Sequence, residues 1–112
     1  MEDWKQARQD INTRALQLNA LTPDTMKGIA ALGGAGDKTN HLDAKTRELI
    51  ALAVAVTTRC DGCIAFHAAA AKKLGVTVEE IGEALGVAIN LNAGAAVVYL
   101  SLIHISEPTR PY

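Results

Sequence analysis

The chain has 112 residues, a formal net charge of −1 at neutral pH, and no long run of lysine or arginine. These values give no electrostatic basis for binding nucleic acid or an anionic membrane, so we expect neither partner. The length matches a single domain. Hydrophobic residues make up 49% of the chain but aromatic residues only 4%, so its core must consist of small aliphatic side chains. A short chain with such a core leaves apolar surface uncovered, and we expect a homo-oligomer.

The polar N-terminal segment and the short apolar runs both indicate a cytoplasmic location. The first residues, MEDWKQARQDINTR, are charged throughout and lack the apolar centre of a signal peptide. The longest uninterrupted apolar run, residues 49–56, is too short to cross a bilayer. We therefore expect a cytoplasmic protein, whose two cysteines serve catalysis, redox sensing or metal binding rather than as a permanent cross-link.

The first half of the chain predicts three helices. Residues 4–20 carry apolar side chains three and four positions apart, which is typical of an amphipathic helix. A short second helix begins at Thr22-Pro23-Asp24 and stops at the glycine-rich residues 33–36. After a polar loop over residues 37–42, Asp43 is a good N-cap for a third helix, which continues through the apolar run without a turn signal.

The second half predicts helices only. One begins near Asp61 and ends at Gly75, a C-terminal glycine cap. Thr77 and Glu80 form a capping box for the next helix, and Gly94 begins a last one. Because no alternation typical of strands occurs, the predicted fold is all-α, a single-domain bundle of about five to six helices.

The C-terminal residues 100–112, LSLIHISEPTRPY, resemble the translation of a transposase adapter used in preparing DNA sequencing libraries. We therefore expect the natural domain to span residues 1–99 and the tail to be non-native.

Both cysteines lie in one short segment, TTRCDGCIAFHAAAAKKLG. If a helix begins near Asp61, then Cys60, Cys63 and His67 share one face, since side chains three and four apart on a helix are neighbours. Backbone N–H groups and the helix dipole stabilise a thiolate at such an N-terminus, and an imidazole one turn on can exchange a proton with it. A second cysteine within disulfide reach can trap a sulfenic acid.

Two other interpretations of this segment remain open. The pair could be inert buried cysteines, which behave as small hydrophobic residues. Alternatively, Cys60, Cys63 and His67 could be three ligands of a zinc ion. The remaining histidines are His41, in a predicted loop, and His104, in the suspect tail, so the fourth ligand would have to come from a subunit interface or a carboxylate.

With Glu48 included, the pattern E-x11-C-x-x-C-x3-H resembles the alkylhydroperoxidase D-like branch of the carboxymuconolactone decarboxylase superfamily. The likeness covers residues 42–99. It implies an antiparallel helical bundle that forms trimers or hexamers, and peroxidase or thiol-disulfide oxidoreductase chemistry without a metal or organic cofactor. It further implies a small peroxide substrate and a lipoyl or thioredoxin-like electron donor.

The resemblance also implies a role for each residue of the pattern. Cys63 attacks the peroxide, Cys60 resolves the sulfenic acid, and Glu48 with His67 forms the proton relay. Without the family, Glu48 would be interpreted as a solvated residue on a helix surface.

The chain departs from the pattern at one position. Some members carry a histidine directly before the second cysteine, where this chain has Gly62.

Two further alternatives for the function are a redox-sensing or interaction protein without enzymatic activity and a carboxymuconolactone decarboxylase-like enzyme. The decarboxylase branch generally lacks the cysteine pair.

Overall fold

The computed structural model describes residues 3–103 and contains five helices and no strand in this range. The helices are α1 (Trp4–Leu21), α2 (Pro23–Thr39), α3 (Ala44–Thr57), α4 (Asp61–Lys73) and α5 (Val78–Ser101). The predicted all-α fold is therefore confirmed. Helix α5 runs two residues beyond the expected domain end, and the rest of the suspect tail, from His104 onward, lies outside the described residues.

The starts of the later helices follow the capping signals of the sequence. Asp43 caps α3 by accepting a hydrogen bond from the Thr46 N–H at 2.8 Å, and bonding to Thr46 lowers the pKa of the Asp43 carboxyl. At α5 the predicted capping box is present, with the Thr77 N–H donating to Glu80 Oε1 at 2.8 Å. This backbone hydrogen bond lowers the pKa of Glu80, so both caps are strongest with their carboxylates ionised.

Helix α2 is longer than the sequence predicted. The expected stop at residues 33–36 is wrong, since the helix continues to Thr39 and ends where Asn40 adopts a left-handed φ of 50°. The glycines weaken a helix but retain its hydrogen bonds. Gly36 also leaves room for Arg47, because a Cβ there would lie 2.7 Å from Arg47 Cδ.

Helix α5 is one continuous element, so the expected new start at Gly94 is also wrong. Near its middle, Asn92 Nδ2 donates to Thr57 Oγ1 at the end of α3 and to the carbonyl of Ala88. These bonds tie α5 to α3.

By length and composition alone, α5 could also cross a membrane, as the one helix within residues 3–103 with that property. It carries no charge from Ala84 to Ser101, and asparagines and glycines interrupt its apolar run. These interruptions explain why the sequence pattern did not predict a span there. None of its residues is buried in the single chain.

The buried core of the described residues is small and lies between α3 and α4. Its members are Leu52 and Ala55 on α3 and Ala65 and Ala71 on α4. Three of the four are alanines, which let the two helix backbones approach closely. Around this pair, α1 packs on α4, α2 on α1, and α5 on α3.

Gly62 lies where α1 crosses the start of α4. A Cβ at this position would lie 2.8 Å from Ile11 Cδ1, too close for an undisturbed contact. Ile11 therefore occupies the space that a side chain at residue 62 would need. This packing gives a physical reason for the glycine that precedes the second cysteine.

We predict that Gly62→His destabilises the protein by roughly 0.5–1.5 kcal/mol, because the imidazole must turn the end of the half-buried Ile11 side chain into a less favourable rotamer. In an Ile11→Ala background the same substitution should cost clearly less, since the obstructing side chain is gone. Urea unfolding at one fixed protein concentration measures both differences.

The matched control is Gly33→His on α2, where an added Cβ meets no atom within 4 Å. A Gly62→His variant as stable as this control, or an equal cost with and without Ile11, would contradict the packing argument.

Candidate active site

Cys60 occupies the N-cap of α4. The chain leaves α3 through Arg59, which has a left-handed φ of 55°, and Cys60 then adopts an extended conformation. Its sulfur accepts a hydrogen bond from the Cys63 N–H at 3.2 Å. The sulfur thus takes the place that a serine or aspartate oxygen usually has at a helix start. Helix geometry therefore fixes the position of this cysteine.

Cys60 and Cys63 form a disulfide, with their Cα atoms 5.2 Å apart. Cys63 is exposed and Cys60 is half-buried. The sulfur pair predicted from the C-x-x-C spacing is therefore in bonding contact, and an approaching thiol or peroxide meets Cys63 more readily than Cys60. The inert-pair interpretation does not fit a disulfide with an exposed member.

Glu48 and His67 connect α3 to α4 one helical turn after Cys63. His67 Nδ1 lies 2.7 Å from Glu48 Oε2, with 41% of the histidine side chain and 21% of the glutamate side chain exposed. A carboxylate only accepts hydrogen bonds, so Nδ1 is the donor in this contact. The other ring nitrogen, Nε2, then carries the lone pair when the imidazole is neutral.

All four residues of the predicted pattern thus lie at one place in the fold. Cys63 and His67 are one helical turn apart on α4, and Cys60 caps the same helix. Glu48 lies 19 positions before His67 in the chain, and the packing of α3 on α4 brings its carboxylate to the imidazole. Glu48 is therefore a paired carboxylate rather than the solvated surface residue that its local sequence would indicate.

Arg47, next to Glu48 in the chain, is bound by the end of α2 and by the loop before α3 rather than by Glu48 or His67. Its guanidinium donates to Asp37 Oδ1 at 2.7 Å, to Asn40 Oδ1 at 3.1 Å, and to the carbonyl of Leu42. Arg47 thereby joins α2 to α3, and the Glu48 carboxylate is bonded to His67 instead. The sequence carried no signal for this clamp, because its acceptors come from the last turn of α2 and from the irregular loop that follows it.

The zinc interpretation finds no support within residues 3–103, where no group of three or more potential ligands is arranged to hold a metal ion. Cys60 and Cys63 are joined as a disulfide rather than present as the thiolates that zinc binds. His41 lies in the loop between α2 and α3, and His104 lies outside the described residues.

Comparisons with known proteins agree with this geometry. The model of the carboxymuconolactone decarboxylase family matches residues 23–103. An uncharacterized protein of Haemophilus influenzae is 50% identical over 97 residues, covering 87% of this chain and 86% of the relative. An uncharacterized protein of Cupriavidus necator is 31% identical over 99 residues, which cover 88% of each protein.

A solved structure extends the likeness to three dimensions. The apo crystal structure of a carboxymuconolactone decarboxylase family protein from Legionella pneumophila is 38% identical to this chain. It superposes with a TM-score of 0.74 over 88% of both chains. The likeness to the carboxymuconolactone decarboxylase superfamily that was predicted from the cysteine pattern is confirmed. With five helices in residues 3–103 and a family match over residues 23–103, the chain belongs to the carboxymuconolactone decarboxylase family.

Proposed function

We propose that the protein is a thiol-dependent peroxidase and disulfide oxidoreductase of the cytoplasm, using Cys63 and Cys60 as its redox pair. The observation that carries the proposal is the placement of an exposed disulfide beside the Glu48–His67 hydrogen bond. A peroxidase needs a nucleophilic sulfur, a second sulfur to close the cycle and a group that moves protons. Those three requirements coincide in these four residues.

In the first step, the Cys63 thiolate attacks the terminal oxygen of the hydroperoxide. The O–O bond breaks, its electron pair leaves on the alkoxide, and Cys63 becomes a sulfenic acid. His67, oriented by its Nδ1 bond to Glu48, takes the thiol proton beforehand and returns one to the leaving alkoxide. The Glu48 carboxylate stabilises the imidazolium that exists between the two transfers.

In the second step, the Cys60 thiolate attacks the Cys63 sulfur. The S–O bond breaks, hydroxide leaves and takes up a proton to form water, and the disulfide results. A dithiol donor, such as a lipoyl group or a thioredoxin-like protein, then reopens it. We expect the donor to attack the exposed Cys63, so that Cys60 leaves as a thiolate that the Cys63 N–H stabilises.

Lactone decarboxylation, the activity in the name of the family, is the alternative function. That reaction has no use for a redox pair, and the shared fold does not decide between the chemistries. The disulfide favours the oxidoreductase.

We predict that the reduced protein consumes cumene hydroperoxide over many turnovers when dihydrolipoamide is in excess. Without the dithiol it should stop after one turnover with the loss of two free thiols per chain, because each cycle stores two electrons in the cysteine pair. Peroxide and thiol assays on the same samples measure both quantities. Consumption of one equivalent despite excess dithiol would contradict the enzyme and favour a redox switch.

Single substitutions separate the two sulfurs in the same assay. Cys63→Ser should abolish peroxide reduction, whereas Cys60→Ser should form one sulfenic acid per chain, detectable by mass spectrometry, and then over-oxidise. Full activity in Cys63→Ser would show that the roles are assigned wrongly.

We also propose that the protein is a homo-oligomer in which a second copy covers α5. The radius of gyration is 18.4 Å, against about 13 Å for a compact domain of this length. No residue of α1, α2 or α5 is buried. An apolar groove of about 330 Å³ between α3 and α5, lined by Ile50, Val54 and Leu91 among others, offers an uncharged surface that suits an identical subunit.

We predict that light scattering gives a mass of three or six chains for the wild-type protein. Leu91→Asp should reduce that mass, since the side chain is 61% exposed in one chain and a charge would be desolvated between copies. Glu83→Gln, near the polar start of α5, is the matched control and should keep the full mass. A monomeric wild type, or an assembly indifferent to Leu91→Asp, would overturn this arrangement.

A further inference from the structure

A second cleft lies between α1 and α4, with a volume of about 400 Å³. Helix α1 contributes Lys5, Arg8, Gln9 and Asn12 to its walls, and α4 contributes Phe66 and Lys73 with two alanines. The volume is within the range of sites for small molecules. None of these residues belongs to the cysteine, histidine and glutamate pattern of the proposed active site.

The charge of the cleft is entirely positive. Lys5, Arg8 and Lys73 line it, and no acidic residue does. Within residues 3–103, the ion pairs of the structure involve other residues, so these three cations have no carboxylate partner there. Arg8 is half-buried and therefore has lost part of its hydration. An anion in the cleft would restore the lost interaction.

The floor of the cleft is apolar. Phe66, the single phenylalanine of the chain, is half-buried there together with Ala69 and Ala70. The amides of Gln9 and Asn12 add hydrogen-bonding groups at the wall. A ligand that fits this combination has one anionic group and an apolar segment.

The cleft lies close to the redox pair along α4. Phe66 is three residues after Cys63, and Ala70 is seven residues after it, so each lies about one or two helical turns beyond the exposed cysteine. Positions seven apart lie on nearly the same side of a helix. Lys73 is ten residues after Cys63 and Phe66 only three, so a ligand with its anionic group at Lys73 and its apolar segment on Phe66 is aligned along α4 toward Cys63.

We propose that this cleft binds an organic carboxylate with a short apolar chain and presents its other end to Cys63. The statement about Cys63 rests on the proposed oxidoreductase function, whereas binding in the cleft does not. Two reactants of that function could supply such a carboxylate: the hydroperoxide itself or the dithiol donor. Arg8, Lys5 and Lys73 hold the carboxylate, and Phe66 packs against the chain.

Binding is tested first without any turnover. Isothermal titration of the disulfide form with octanoate should show binding that weakens with added salt, and 1-octanol should bind clearly less. Arg8→Gln and Lys73→Gln should each weaken octanoate binding roughly tenfold, because each removes a charge-assisted hydrogen bond. Lys72→Gln, the neighbouring lysine outside the cleft, is the matched control and should bind octanoate as the wild type does.

Equal binding of octanoate and octanol, no binding of octanoate, or equal losses in Lys72→Gln and Lys73→Gln would each overturn the site. Circular dichroism and unfolding curves confirm that the variants fold. Because no peroxide or dithiol is present, a failed peroxidase assay leaves this result intact.

Kinetics then identify the source of the carboxylate. One arm compares a fatty acid hydroperoxide with its methyl ester at saturating dihydrolipoamide, and the other compares dihydrolipoate with dihydrolipoamide at fixed cumene hydroperoxide. A lower KM for the acid in one arm, with that advantage lost in Arg8→Gln but retained in Lys72→Gln, identifies the reactant. No preference for the acid in either arm would overturn the link between the cleft and Cys63.

Discussion

The hydrogen bond between Glu48 and His67 is the contact on which the candidate site depends. It joins residues 19 positions apart and exists only because α3 and α4 lie close together. Ala55 on α3 and Ala65 and Ala71 on α4 are buried side chains of this helix pair, and their small size favours a close approach of the two backbones. Larger residues in such a core strain its packing, and the Glu48–His67 contact depends on how α3 and α4 pack. The alanine-rich composition therefore serves the geometry of the site.

The local part of the site could be predicted from the sequence. Helix spacing alone places Cys60, Cys63 and His67 on one face of α4, and the aspartate and threonine caps fix the starts of α3 and α5. The partner of Glu48 could not be predicted in this way, because a contact between two helices depends on their packing, which no local pattern encodes. The likeness to a family supplied what the local pattern lacked.

The errors in the fold have a common physical origin. Glycines were interpreted as ends of helices at residues 33–36 and as a start at Gly94, yet both helices continue through them. A glycine costs a helix only about 1 kcal/mol, which tertiary contacts offset. Arg47 makes such a contact over Gly36, and Asn92 makes another close to Gly94. These contacts form between helices, so the local sequence of one helix cannot predict them.

Because few residues are buried in the single chain, much of its surface is apolar or carries exposed cations. Burial is concentrated on α3 and α4, so the remaining helices present apolar surface on α5 and a basic cleft on α1. We interpret the first as the contact with further copies and the second as the site that brings an anionic reactant to Cys63. Both surfaces flank the α3–α4 pair that holds the four residues of the candidate site.

The most direct test of the account is the rate of a single turnover. Reduced wild-type protein and Glu48→Gln are mixed with cumene hydroperoxide in a stopped-flow instrument, and the first-order loss of Cys63 thiol is followed. If Glu48 orients His67 and stabilises its charged form, the variant should react roughly 100-fold more slowly while its disulfide still closes and its fold is retained. Equal rates in the two proteins would contradict the proton relay and reduce the Glu48–His67 bond to a structural link between α3 and α4.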